Sequence, residues 1–337
     1  MKKIIIMILS VFMAFGATGC SNKEESTVPK RETKVENSNK QSSHYPVTIT
    51  TYNYSKQPVK LTFEKSPEKV VAVYQNSIET LLALGLQDKI IAASGLDHDV
   101  KDEYKSSFSK LKYYGKAPAK EEVIALQPDF ILSWYSVFGE KNLGDVGFWH
   151  ERGINTYMSQ NSGVIKPNTL QNEYDDILNM GKIFNVEDRA NEIVNTMRKE
   201  IEKAKGFVRG KEAVKTVILE VEKNGTYRIY GEDSVGGDIA KRVGANLVAK
   251  SNGKMGNEDL IKLNPDVIFT VYYGKEIDKE AALKSIISNP ALSSISAIKS
   301  KRVHPIMLSE VYASGIRTLD GIKTISKGLY PELYGNK

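Results

Sequence analysis

The sequence predicts an α/β protein of two lobes joined by one long α-helix, and three observations carry that expectation. One phrase is written twice: EEVIALQPDFIL from Glu121 and EDLIKLNPDVIF from Glu258, identical at six of twelve positions. In each copy an acidic residue opens an apolar-periodic turn, a Pro-Asp pair punctuates it, and a β-rich apolar run follows. Around the copies, short apolar runs without polar alternation exchange with amphipathic stretches, the rhythm of a parallel sheet covered by helices on both faces. Between the halves, EDRANEIVNTMRKEIEKAK (187–205) sets Ala190, Ile193, Val194, Met197 and Ile201 at helical spacing, a stiff spacer rather than a loop hinge. A chain of 337 residues is long enough for two such lobes.

Taken in order, the chain opens with MKKIIIMILSVFMAFGATGC. Two lysines, an apolar stretch from Ile4 to Phe15 too short to span a bilayer, and small residues before a cysteine read as an export signal over 1–19. The ending Ala17-Thr18-Gly19-Cys20 resembles a bacterial lipobox, with Ala17 where leucine is usual, which would make Cys20 the lipid-bearing mature N-terminus. Cys20 is the sole cysteine, so no disulfide forms within the chain. Residues 20–45 have almost no aliphatic or aromatic side chains to offset ordering entropy and are expected to be a flexible tether. From Pro46 to Phe63 the alternation of Val47, Ile49, Tyr52, Tyr54, then Val59, Leu61, Phe63 predicts a β-hairpin.

Lys69–Tyr74 is the first buried-strand run, and Ser77 is placed to cap a helix that ends at Leu84 and Gly85. Lys89–Ala93 is the next strand, followed by the helix from Glu121 and the strand Phe130–Ser133. In the second half Thr216–Glu220 is a strand, Gly236-Gly237-Asp238 leads a helix to Gly244, and the Glu258 unit follows. The expected division is therefore 46–186 and 207–337 as α/β lobes with 187–206 between them.

In this order and spacing the chain resembles the solute-binding lipoproteins of ABC importers for ferric siderophores, haem and cobalamin. The resemblance runs from Lys69 to Tyr334 and rests on VVAVYQNSIETLLALGLQDKIIAAS, EEVIALQPDFILSW, NMGKIFNVEDRANEIV, VGANLVAK with EDLIKLNPDVIF, and NPALSSISAIKSKRVHPI. It implies two Rossmann-like lobes on a helical backbone (the class III arrangement), a ligand cleft between them, and a membrane-anchored, extracytoplasmic location. It implies as partners a permease dimer with its cytoplasmic ATPase, each lobe offering one glutamate to permease arginines; here those are Glu121 and Glu258. A glutamate in the first turn of a helix is also stabilised by the helix dipole alone, by about 0.3–1 kcal/mol, and each has an acidic neighbour, Glu122 and Asp259.

Ligand contacts are expected from loops after strand C-termini. Those loops carry Tyr74, Tyr113, Tyr114, Trp134, Tyr135 and Phe138, and across the cleft Tyr227, Tyr230, Tyr272 and Tyr273. Seventeen tyrosines against ten phenylalanines favour aromatics with a polar handle, suited to a large planar ligand or metal chelate. Arg317 lies where the resemblance places a ligand-facing base, apt for an anionic ferric siderophore. Haem is the alternative ligand, with Tyr114 at the position of a ligating tyrosine in haem-binding relatives, although Lys116 replaces the usual arginine. His98 is a possible second haem ligand, and equally a solvated loop residue.

Other classes find little in the sequence. The formal charge of +6 is spread without a basic block interleaved with aromatics, which argues against nucleic acid and suits anionic small ligands or lipid surfaces. His44, His98, His150 and His304 are scattered, unlike a site for bare zinc or manganese. No Gly-x-Ser-x-Gly, phosphate loop or His-Glu-x-x-His is present, so no enzyme and no catalytic cofactor are expected. An extracytoplasmic enzyme or an adhesin on the same fold stands as the reading from another class. A monomer is expected.

Overall fold

The computed structural model describes residues 44–223 and 225–335, so the export signal, Cys20 and most of the expected tether lie outside the described residues. The hairpin forms where alternation places it: β1 (Val47–Tyr52) runs antiparallel to β2 (Pro58–Phe63), and Ile49, Leu61 and Phe63 turn inward.

Five strands then build an all-parallel sheet: β3 (Val70–Val73), β4 (Ile90–Ser94), β5 (Tyr113–Tyr114), β6 (Phe130–Ser133) and β7 (Asn155–Met158), in the order β5-β4-β3-β6-β7. The second sheet contains β8 (Lys215–Val221), β9 (Tyr227–Ile229), β10 (Asn246–Leu247), β11 (Gly253–Met255), β12 (Val267–Tyr272) and β13 (Val303–Met307). Here β10, β8, β12 and β13 are parallel, as their apolar runs predict. One edge departs from expectation, because β9 and β11 add in antiparallel fashion through the short turn after β8.

Burial on two faces explains the unbroken apolar runs. Val70 and Ala72 enter one core cluster while Val71 and Val73 enter another. In the second sheet Ile218 and Phe269 join the first cluster and Val217, Leu219 and Ile268 a third. The first cluster is thus common to both sheets. The helix Glu187–Val208 runs through it, burying Ala190, Val194, Met197, Ile201 and Ala204 at spacings of three and four. Its 22 residues span roughly 33 Å at 1.5 Å per residue. Close approach to the preceding helix, Leu170–Phe184, depends on Gly181, where an added Cβ would stand 2.6 Å from the Ala190 Cβ.

Both repeated phrases form the expected helix-turn-strand unit. Lys120–Leu126 ends on Gln127 at φ 49° before β6, and Asn257–Leu263 ends on Asn264 at φ 42° before β12. The Pro-Asp pairs do more than punctuate. Asp129 accepts the backbone N–H of Glu68 and Lys69 at 2.8 Å each, and Asp266 that of Lys215 at 3.3 Å, tying each unit to the start of the neighbouring strand.

Two helix starts differ from the sequence reading. The helix after β3 is Gln75–Ala83, led by Tyr74, and Ser77 lies buried in its first turn because the strand passes into the helix without a loop that would free a capping hydroxyl. Further on, Ser234 rather than the glycine pair leads Val235–Arg242, its hydroxyl accepting the Gly237 N–H at 2.9 Å.

A polar seam joins the halves beside the shared core. Glu79, on the first helix, is fully buried and takes two bonds from Arg317, Nε to Oε2 at 2.5 Å and Nη2 to Oε1 at 2.7 Å. Glu173 accepts the backbone N–H of Ser314 at 3.0 Å and of Gly315 at 2.7 Å. Lys101 bonds both Asp320 oxygens at 3.1 and 2.9 Å, and the Leu170 N–H donates to Asp238 at 2.8 Å.

Candidate functional site

Three strands of the first sheet, β3, β5 and β6, have an aromatic ring at or just after their C-terminal end. β3 is followed at once by Tyr74, whose φ of 76° and ψ of 158° lie in a region that costs a residue with a side chain about 1–3 kcal/mol. Its N–H donates to the Ser94 carbonyl at 2.9 Å. The ring stacks on Trp134 after β6, with centroids 4.3 Å apart and planes 28° apart. Tyr312, from the segment after β13, meets Trp134 edge-on at 5.5 Å and 80°. Rings from both halves thus form one aromatic wall.

A cation borders that wall. Arg228 occupies the outward position of β9, half-exposed between buried Tyr227 and Ile229. Its guanidinium lies 5.2 Å from the Tyr230 ring centre and 3.6 Å from Glu220. Burial pushes the Tyr312 hydroxyl above its ordinary pKa, and the Arg228 charge pulls it part of the way back.

Several expected residues take other positions. Tyr230 is buried and its hydroxyl donates to Glu220 at 2.8 Å; burial and that carboxylate push its pKa far up. Tyr227 and Phe138 are core residues at 2 % and 0 % exposure. Arg317 sits in the lining but is no free cation: besides Glu79, its Nη2 donates to the Asp99 carbonyl at 3.1 Å. The expectation of a ligand-facing base there is corrected by a partner on the other lobe. Tyr135 stacks on Tyr54 at 4.6 Å and 6°, with the Lys56 ammonium 4.9 Å from its ring. Tyr273 is 57 % exposed beyond β12.

Two cavities open near the strand ends, and the first has one ring of the wall, Tyr74, in its lining. One, of about 660 Å³, is lined by Tyr74, Tyr114, Lys116, Val137 and Leu143, and reaches Glu121. The other, of about 1020 Å³, is bounded by residues of both halves, among them His98, Lys101, Tyr113, Lys275 and Met307. His98 bridges its wall, with Nδ1 at 2.9 Å from the Asp99 carbonyl and Nε2 at 2.7 Å from the Ser309 hydroxyl. Burial pushes its pKa down, which favours the neutral ring.

The acidic pairs separate into two roles. Glu122 accepts the Ala119 N–H at 2.7 Å and Asp259 the Gly256 N–H at 3.4 Å, so each closes the first turn of its own helix. Glu121 and Glu258 are exposed and form no ion pair among the described residues.

Sequence reasoning missed Arg228, Tyr312 and Asn76, which bonds the Trp134 indole. None of the three carried a signal short of the fold: β9 is only three residues long, and Tyr312 and Asn76 are brought to the wall by tertiary contacts.

Comparison with known proteins identifies the family of this fold. The family model described as periplasmic binding protein matches residues 70–306. The uncharacterized ABC transporter substrate-binding lipoprotein YvrC of Bacillus subtilis (strain 168) is 27% identical, over 98% of this chain and 96% of the relative. The petrobactin-binding protein YclQ of the same organism is 24% identical over 94% of each chain. The crystal structure of a periplasmic binding protein from Veillonella parvula DSM 2008 superposes with a TM-score of 0.81 at 32% identity, covering 86% of this chain and 93% of that one.

Proposed function

The chain belongs to the periplasmic binding protein family, and on that premise we propose that it is the extracytoplasmic binding lipoprotein of an ABC importer, capturing a ferric siderophore between its lobes. The observation that carries this reading is the wall of Tyr74, Trp134 and Tyr312 beside Arg228. Aromatic rings suit the planar arms of a chelate, and a guanidinium answers its negative charge through paired donors. The petrobactin-binding relative supports the ligand class. The iron is cargo inside the chelate, so the protein needs to grip the organic shell and not the metal.

Lipid on Cys20 would hold the domain at the membrane. Glu121 and Glu258, left free while their neighbours cap the helices, would meet cations of the permease dimer, setting orientation and encounter rate. The test of docking is charge reversal. Glu121→Arg with Glu258→Arg should bind ligand normally and fail to support uptake; normal uptake by the double variant would exclude this surface.

The test of the ligand is titration of the domain from residue 43 with ferric catecholates, hydroxamates and carboxylates, haemin and cobalamin, followed by tryptophan fluorescence. One ferric chelate should quench saturably. Arg228→Ala should weaken it by roughly tenfold or more and reduce its salt dependence. Haem is the second reading, because half-buried Tyr114 shares a cavity of about 660 Å³ with Tyr74. A haemin complex whose Soret band shifts, and loses that shift in Tyr114→Phe, would favour it over the siderophore.

A further inference from the structure

We infer that Asn76 is the positioning residue of the aromatic wall, a role that rests on the wall being where ligand binds. Asn76 is second in the helix Gln75–Ala83 and 6% exposed. Its side-chain oxygen accepts the Trp134 indole N–H at 2.6 Å, and its nitrogen donates to the Ser159 hydroxyl after β7 at 2.8 Å. Stacking alone leaves an indole free to slide or flip across its neighbour, because ring contacts are broad in offset. One hydrogen bond at the ring edge removes that freedom and decides which face of Trp134 meets Tyr74.

The backbone shows why this position can do so. Tyr74 and Asn76 are separated by one residue, so a single turn supplies one ring of the wall and orients the other. That turn is strained at Tyr74, and strain of this kind persists only where neighbouring structure holds it. Gly95 leaves room for the Tyr74 ring, since a Cβ there would stand 3.1 Å from its Cδ1. From the other lobe, Gly315 packs on Asn76 so closely that a Cβ would come within 3.1 Å of the Asn76 Cβ. Asn76 is therefore held by the seam on one side and by Ser159 on another, and passes that rigidity to Trp134.

The domain carries two tryptophans, Trp134 and Trp149, so fluorine NMR of 5-fluorotryptophan-labelled protein reports the wall and a buried core position separately. In Asn76→Leu the Trp134 resonance should broaden or split while that of Trp149 stays in place. Affinity for the ferric chelate that the parent protein binds should fall about tenfold, as expected for one buried hydrogen bond lost. Asn76→Asp keeps an acceptor for the indole and should restore a single Trp134 line with most of the affinity. Should Asn76→Leu also move Trp149 or fail to fold, Ser159→Ala frees the same amide without touching the helix start and should broaden Trp134 alone.

An unchanged Trp134 line in Asn76→Leu overturns the role, as does unchanged affinity despite a split line. If the parent protein binds no chelate, the transport reading falls, and the resonance of Trp134 still decides whether Asn76 sets its orientation.

Discussion

Replacing Arg317 by methionine should cost about 3–5 kcal/mol, a large share of a typical domain's stability. The side chains of Glu79 and Arg317 are 0 % and 9 % exposed, so the pair is largely withdrawn from water. Methionine keeps the length and apolar contact of the arginine stem while removing both bonds to Glu79 and the bond to the Asp99 carbonyl. The orphaned carboxylate retains only the backbone N–H of Lys101, at 2.9 Å and from its own half of the chain, as a donor. Urea unfolding measures the effect: with m of about 3 kcal/mol/M, the midpoint should fall by roughly 1–2 M. The double variant Glu79→Leu/Arg317→Met should recover most of that loss, because an apolar pair of similar volume is often neutral to stability where a lone buried charge is not. A single-variant cost below about 1 kcal/mol with m unchanged, or a double variant no better than the single, would refute the idea that this ion pair is sealed and structural.

The pH dependence of stability should bear the mark of Glu310, which burial pushes up from 4.5 to about 7 and whose Oε2 has no partner. The folded protein then holds this proton more tightly than the unfolded chain, so stability falls as pH rises from about 4.5 through about 7. Glu310→Gln should flatten that decline by up to about 3 kcal/mol between pH 5 and 8, and superimposable urea midpoints for the two proteins would count against it. Gly237→Ala should destabilise by about 1–3 kcal/mol or more, since the new Cβ would lie 1.9 Å from the Gly231 carbonyl oxygen. Gly253→Ala, with nothing within 4 Å, is the control expected to leave the melting temperature in place.

Elements whose signal is periodic were legible from the chain alone. The spacer helix shows itself because Ala190, Ile193, Val194, Met197 and Ile201 recur at helical spacing, and the two repeated units because each opens on an acid, is punctuated by Pro-Asp and runs into an apolar strand. β9 was not legible as a strand: three residues give too little alternation to separate it from a loop, and with it went the antiparallel edge and Arg228. The site divides the same way. Rings directly after strand ends, Tyr74 and Trp134, were readable, since a strand's C-terminal end is where an open sheet meets its cleft. What those rings touch was not. Arg317 resembles a free base until Glu79, 238 residues earlier, is folded against it, and Tyr230 resembles a cleft aromatic until its hydroxyl finds Glu220.

The common core and its polar seam also bear on how such chains can be cut and recombined. A fragment ending after Phe184 would expose Glu79 and Glu173 without their partners from 314–317, together with the apolar stripe that receives the spacer helix. The visible halves are therefore not interchangeable parts. A chimaera joining the front of this chain to the back of a relative should fold only if the donor carries its own equivalents of Arg317 and Gly315. Substitutions at Glu79 are then tolerated in step with changes more than two hundred positions away. Recombination within this lineage is constrained at a place that sequence spacing alone would mark as a boundary.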